Sequence, residues 1–262
     1  MRALFQAARD GASLRDWDIV DLHGHLGRFN FGIPDLTTDG MVAAMDRLGI
    51  ALTVCSHMRC MSADTGWGND QILAAMQAHP GRILGYFSVW PDNAESVRQE
   101  SLKRIGEGFT GFKAHNVNGF AYDDPAYAPA FELCAERGLP ALLHTWGDPK
   151  EFAQVRNLAA RHPELALLLA HAGCANEAGY IAIARECPHV YLDTAYSASP
   201  RGMIARLARE AGVDKIVWGS DSYFFSPAQQ IGKVLGADLP DNDKHKILSL
   251  NGRRLLARVK KK

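Results

Sequence analysis

Six of the ten histidines stand at or near the ends of short apolar runs: His23 and His25 in DLHGH, His57 in TVCSH, His115 in GFKAH, His144 in ALLH and His171 in LLLAH. Asp221 ends another such run, IVWGSD. Residues i and i+2 of a strand project to the same side. His23 and His25 can therefore close together on one ion at the ~2.0–2.1 Å of a zinc–imidazole bond. An HxH pair alone is common in cores and on surfaces. The reading gains weight because His144, His171 and Asp221 each close a different run, so metal-competent groups recur at the same end of several strands. A divalent ion held there would lower the pKa of water from about 15.7 to about 7 and polarise a substrate carbonyl. The other histidines have blander settings. His79, His162 and His189 lie in expected helix-to-strand turns, and His245 lies in the last expected helix.

The elements that must position these groups follow from the apolar pattern. Eight runs, at 18–25, 51–58, 83–90, 110–115, 141–146, 166–173, 190–196 and 216–221, are continuous and rich in β-branched or aromatic residues. That pattern suits parallel strands buried on both faces. Amphipathic segments predict helices over 37–48, 69–78, 93–105, 126–137, 149–161, 176–187, 201–211 and 241–257. Turn signals such as AHPGRI and ERGLP stop several of them before the next strand. Strict strand–helix alternation marks repeated βα units. The count of eight, with no Gly-rich phosphate turn after the first strand, favours a (β/α)₈ TIM barrel over a doubly wound open sheet. Such a barrel takes about 250 residues, so one domain over residues 1–262 accounts for the chain. In that fold the C-terminal strand ends meet on one face, where active sites are built.

Composition narrows the partners. Lys plus Arg equals Asp plus Glu at 29 each, so no net field favours nucleic acid or an anionic membrane, and a small molecule is the expected substrate. No stretch reaches the roughly 18 apolar residues of a membrane span, and the start of the chain carries no secretory apolar core. The five cysteines are scattered, without disulfide or zinc-ribbon spacing, which fits reduced thiols in a cytoplasmic protein. Homo-oligomers are compatible with all of this.

The combination of DLHGHLG, GFKAH, LLAHAG and WGSD, closing on NGRRLL, resembles the amidohydrolase superfamily. More narrowly it is similar to the amidohydrolase-related group that includes aminocarboxymuconate semialdehyde decarboxylase. The resemblance spans positions 18–256. It implies that His23, His25, His144 and Asp221 hold one divalent ion, zinc in the first instance and manganese or another ion as alternatives. It also implies that His171 contacts solvent or substrate, with Asp221 and His171 as the catalytic pair. Asp21, on the face of His23 but deeper, is expected to orient a ligand imidazole. Lys113 and His115 share a face. In two-metal members a lysine at the position of Lys113 is carboxylated and bridges two ions, which would make Lys113 and His115 contacts of a second metal or of substrate, whereas an uncarboxylated Lys113, paired to a nearby carboxylate or binding substrate, fits a one-ion site. Two reactions follow from such a centre. The first reading is a hydrolase of a small amide, ester or lactone; the alternative is non-oxidative decarboxylation of a small aromatic or unsaturated acid. A metal-binding module without catalysis is the remote third. Loop residues expected near substrate are Arg28 with Phe29 and Phe31, Arg59, Trp146, Tyr196, Tyr223, Phe224 and Phe225.

Overall fold

The computed structural model describes residues 3–28 and 37–260. Eight parallel strands run in the order β1 to β8: β1 (Ile19–Leu26), β2 (Ile50–His57), β3 (Ile83–Phe87), β4 (Gly111–Ala114), β5 (Ala141–Leu143), β6 (Leu167–Leu169), β7 (Val190–Asp193) and β8 (Ile216–Val217). Past its short ladder with β7, the chain after β8 returns to β1. Leu22 N–H donates to Trp218 O (3.0 Å), Asp221 N–H to His23 O (2.7 Å) and His25 N–H to Ser222 O (2.7 Å), and Gly24 bridges Ser222. The sheet thereby becomes a nearly closed TIM barrel, as the alternation predicts.

Around it pack α1 (Ala3–Arg9), α2 (Thr38–Leu48), α3 (Thr65–Ala78), α4 (Ala94–Gly106), α5 (Ala128–Arg137), α6 (Pro149–Arg161), α7 (Glu177–Glu186), α8 (Met203–Ala211), α9 (Pro227–Leu235), α10 (Asp241–His245) and α11 (Asn251–Leu256). Two of these, α1 and α9, fall outside the predicted helices. The single helix expected over 241–257 is instead α10 and α11 joined by a π-helical stretch over Lys246–Leu250. Among the described residues no helix is long and apolar enough to cross a membrane.

Two apolar layers hold the barrel. Val20, Leu22, Leu52, Val54, Leu142, Leu168 and Val217 fill its interior with Leu255 of α11. Their strand neighbours Ile19, Cys55, Ala141, Leu143, Leu167, Leu169 and Ile216 face the helices. On β1 the interior positions are even-numbered up to Leu22. A register shift between Asp21 and Gly24 adds a residue to one strand and changes the phase, so His23 and His25 continue inward at odd positions. Gly24 between them is needed for clearance, since a Cβ there would stand 2.5 Å from Thr53 Cγ2.

Candidate metal centre

The regular ladders of β5, β6 and β8 stop at Leu143, Leu169 and Val217. His144, His171 and Asp221 therefore stand beyond them, at the mouth of the barrel. His171 (φ 59) and Asp221 (φ 51) hold left-handed backbone, which costs a non-glycine residue on the order of 1–3 kcal/mol. Both are buried.

Three donors converge. His23 Nε2 lies 3.1 Å from His25 Nε2, and Asp221 Oδ1 lies 3.1 Å from His25 Nε2 and 3.6 Å from His23 Nε2. These three residues form a group able to hold a metal ion. The other nitrogen of each imidazole is already taken. His23 Nδ1 donates to Asp193 Oδ2 at 2.7 Å, and His25 Nδ1 pairs with Ser56 Oγ at 3.0 Å. With Nδ1–H committed to Asp193, the neutral His23 ring presents a lone pair at Nε2. Burial pushes His23 well below the ordinary histidine value and lowers His25 as well, so both rings are in the neutral form that ligates metal.

The donor set fits a divalent cation on two counts. Ligands about 2.0–2.1 Å from one ion stand roughly 3.0–3.4 Å from each other, close to the 3.1–3.6 Å seen here. Charge points the same way. Asp21, Asp193, Asp221 and Lys113 are all buried at this end, three potential negative charges against one positive. Burial near other carboxylates holds Asp21 up at about 7 and Asp193 up at about 8. A dication among them removes that electrostatic penalty.

His144 stands one step outside the triangle. His171 Nδ1 lies 2.5 Å from the carbonyl of Ala195, which can only accept, so Nδ1 carries the proton and Nε2 has the lone pair. That Nε2 faces His144 Nδ1 at 3.3 Å. His144 then donates from Nδ1 and keeps a lone pair on Nε2, a buried atom without a hydrogen-bond partner. Burial lowers His171 to about 4 and His144 well below the ordinary value. His115 stacks on His144 with ring centroids 3.7 Å apart, and its Nδ1 accepts from Val117 N–H. Lys113 Nζ lies 3.2 Å from His23 Nε2, and burial lowers its ammonium to about 8.

One residue differs from its expected role. Asp21 does not orient an imidazole. The bulge turns it toward the β8 seam, where it accepts from His23 N–H (3.0 Å), Ser220 N–H (2.9 Å) and Ser220 Oγ (2.5 Å). The orienting carboxylate is Asp193 at the end of β7, and its partner for His25 is Ser56 on β2; sequence reasoning singled out neither. Asp193 was visible in VYLDTAY as an acid closing an apolar strand, the signal that identified Asp221.

Of the loop residues, Trp146 is 49% exposed. It lies flat on His171, centroids 5.1 Å apart and planes 17° apart. Phe224 meets His25 edge-on, and Tyr223 OH donates to Thr37 O. Arg59 is exposed and pairs with Asp64 at 3.7 Å, Arg28 is exposed, and Tyr196 N–H donates to Gln230 Oε1. Phe29 and Phe31 lie outside the described residues.

Comparison with known proteins agrees with the barrel fold. The 2-amino-3-carboxymuconate-6-semialdehyde decarboxylase of Dictyostelium discoideum is 36% identical over 80 residues, a match spanning 30% of this chain and only 22% of that protein. The 2,6-dihydroxybenzoate decarboxylase from Rhizobium superposes with a TM-score of 0.74 over 91% of this chain and 98% of its own, at 16% identity. A 5-carboxyvanillate decarboxylase from Novosphingobium aromaticivorans, solved with bound manganese and 3-methoxy-4-hydroxy-5-nitrobenzoic acid, superposes at 0.67 over 83% of this chain and 80% of its own, at 15% identity. At those identities the two structures speak for the fold. The amidohydrolase family profile (Amidohydro_2) matches residues 20–258, nearly the whole barrel, and the chain belongs to that family of metal-dependent enzymes.

Proposed function

We propose that this enzyme is a non-oxidative decarboxylase of a small aromatic or unsaturated carboxylic acid, working with one divalent ion held by His23, His25 and Asp221, with His144 as the fourth group. The observation that carries the metal site is the triangle of donors 3.1–3.6 Å apart inside a buried, acid-rich pocket. Decarboxylation, rather than the hydrolysis that the sequence puts first, is supported by the relatives described above, all three of them decarboxylases by name. Zinc and manganese both accept a site of two imidazoles and a carboxylate.

When bound, the ion supplies a positive centre that orients the substrate's oxygens and draws electron density from the carbon losing its carboxylate. The chain's own groups do the rest. The C–C bond breaks, CO₂ leaves, and the electron pair left on carbon takes a proton. We assign that delivery to Asp221, because a carboxylate can contact the ion through one oxygen and carry a proton on the other. Asp193 and Ser56 keep the two ligand rings from rotating. Trp146, flat against His171 and open on its outer side, offers a stacking surface for a planar acid. Lys113 supplies the one buried cation beside the centre among the described residues, suited to a second anionic group on the substrate.

The test is turnover in D₂O. The zinc- or manganese-loaded chain is incubated with a panel of aromatic and unsaturated carboxylic acids, and the products are examined by mass spectrometry. CO₂ release with one deuterium at the carbon that lost its carboxylate is expected. Asp221→Asn is expected to keep part of its metal while kcat falls by about 10² or more. Hydrolysis of amides, esters or lactones with no CO₂ release from any acid would overturn the assignment.

A further inference from the structure

The last ladder partner of β7 is Asp193, paired with Val217, so the chain beyond it is placed by other contacts. Thr194 N–H still reaches Val217 O of β8 at 3.1 Å, and the contacts that hold the carbonyls beyond it come from α9. Lys233 Nζ donates to Thr194 O (2.8 Å), Tyr196 O (2.5 Å) and Ser199 Oγ (3.1 Å). Its three hydrogens have three acceptors. One turn earlier, the buried Gln230 accepts Tyr196 N–H through Oε1. Both carbonyls flanking Ala195 are thus pinned on the α9 side, which turns the carbonyl of Ala195 the other way. It meets His171 Nδ1. At its other end the same segment is tied to the centre, because Ala195 N–H donates to Asp193 Oδ1 at 3.1 Å.

We propose that Lys233 and Gln230 are positioning residues: from outside the barrel mouth they fix the Ala195 carbonyl, and through it the tautomer of His171. The consequence for turnover rests on the function proposed above. The tautomer itself does not. With the proton locked on Nδ1, His171 presents only an acceptor at Nε2, and that acceptor in turn orders His144. Without the α9 clamp the Ala195 carbonyl is free to turn away, and the two neutral tautomers of His171 approach each other in energy.

The experiment is a long-range ¹H–¹⁵N correlation spectrum of the full zinc-supplemented chain labelled with ¹⁵N-histidine, with His171 assigned by its absence in His171→Gln. The unsubstituted chain is expected to show one neutral form of His171, protonated at Nδ1. Lys233→Met is expected to lose that single form and show a mixture of tautomers. In Lys233→Ala, added methylammonium is expected to restore the Nδ1–H form by occupying the carbonyl cage. A folded Lys233→Met whose His171 remains wholly Nδ1–H overturns the proposal. Should Lys233→Met fail to fold, Gln230→Leu decides in the same way, an unchanged tautomer counting against the proposal and a mixture for it. A tautomer shift in Lys233→Met together with no CO₂ release from any acid by the unsubstituted chain leaves this inference standing and removes the decarboxylase reading instead.

Discussion

Asp193 does for His23 what the imidazole cannot do alone: it fixes which nitrogen carries the proton and where the ring points. The fit is close enough to constrain the backbone opposite. A Cβ on Gly219 would stand 2.4 Å from Asp193 Oδ1 and 2.5 Å from His23 Cβ, so only glycine leaves room for the pair. Orienting groups of this kind govern metal affinity, and Asp193→Asn is expected to weaken zinc binding by about 10- to 100-fold in a competition titration against a chromophoric chelator. An unchanged Kd would show that the 2.7 Å contact is only a packing feature. At this scale the ligands were legible and their supports were not. HxH announces itself because both members are histidine at strand spacing. Ser56 and Asp193 are ordinary residues whose meaning depends on which strands lie side by side, and the turn of Asp21 toward Ser220 depends on a bulge that no residue type signals.

The loops after the strands are set by the helices that follow them. α6 begins with a capping box in which Asp148 accepts Lys150 N–H and Glu151 reaches back to Asp148 N–H. Glu151 also accepts Trp146 N–H at 2.8 Å and Asn116 Nδ2 at 2.7 Å. One buried carboxylate thus ties the helix start to the loops after β4 and β5, and so places Trp146 over His171. Glu151→Ala is expected to cost about 1–3 kcal/mol, since three part-buried donors lose a charged acceptor. The loss should appear as a lower thermal unfolding midpoint, together with a change in Trp146 fluorescence; a variant that melts with the parent would mean that Asp148 suffices as the cap. The sequence exposed most of these elements because long amphipathic periods such as 149–161 and short apolar runs are strong signals. It did not expose α9. PAQQIGKVL buries Gln230, Ile231, Val234 and Leu235 on one short face, too few apolar residues to stand out between a strand end and the next turn. The break between α10 and α11 was equally hidden, because a π-helical turn keeps a helical composition.

For the whole molecule, barrel closure is what turns scattered positions into a centre. His23 and Asp221 are 198 residues apart, yet β1 and the chain after β8 meet along a seam of three backbone hydrogen bonds, and the two side chains come within 3.6 Å. The chain carries no net charge, so attraction for a metal or an anionic substrate has to arise locally, from the buried carboxylates and Lys113 at the barrel mouth. The most direct test of that claim is metal content by elemental analysis on purified protein. About one divalent ion per chain is expected in the unsubstituted protein. In His23→Ala/His25→Ala that ion should be lost, because two of its ligands and the chelate go together. His79→Ala serves as the control: His79 pairs with the exposed Asp39 through Nε2 in a helix-to-strand turn, and its metal content should be unchanged. Near-stoichiometric metal in the folded double variant would contradict the account.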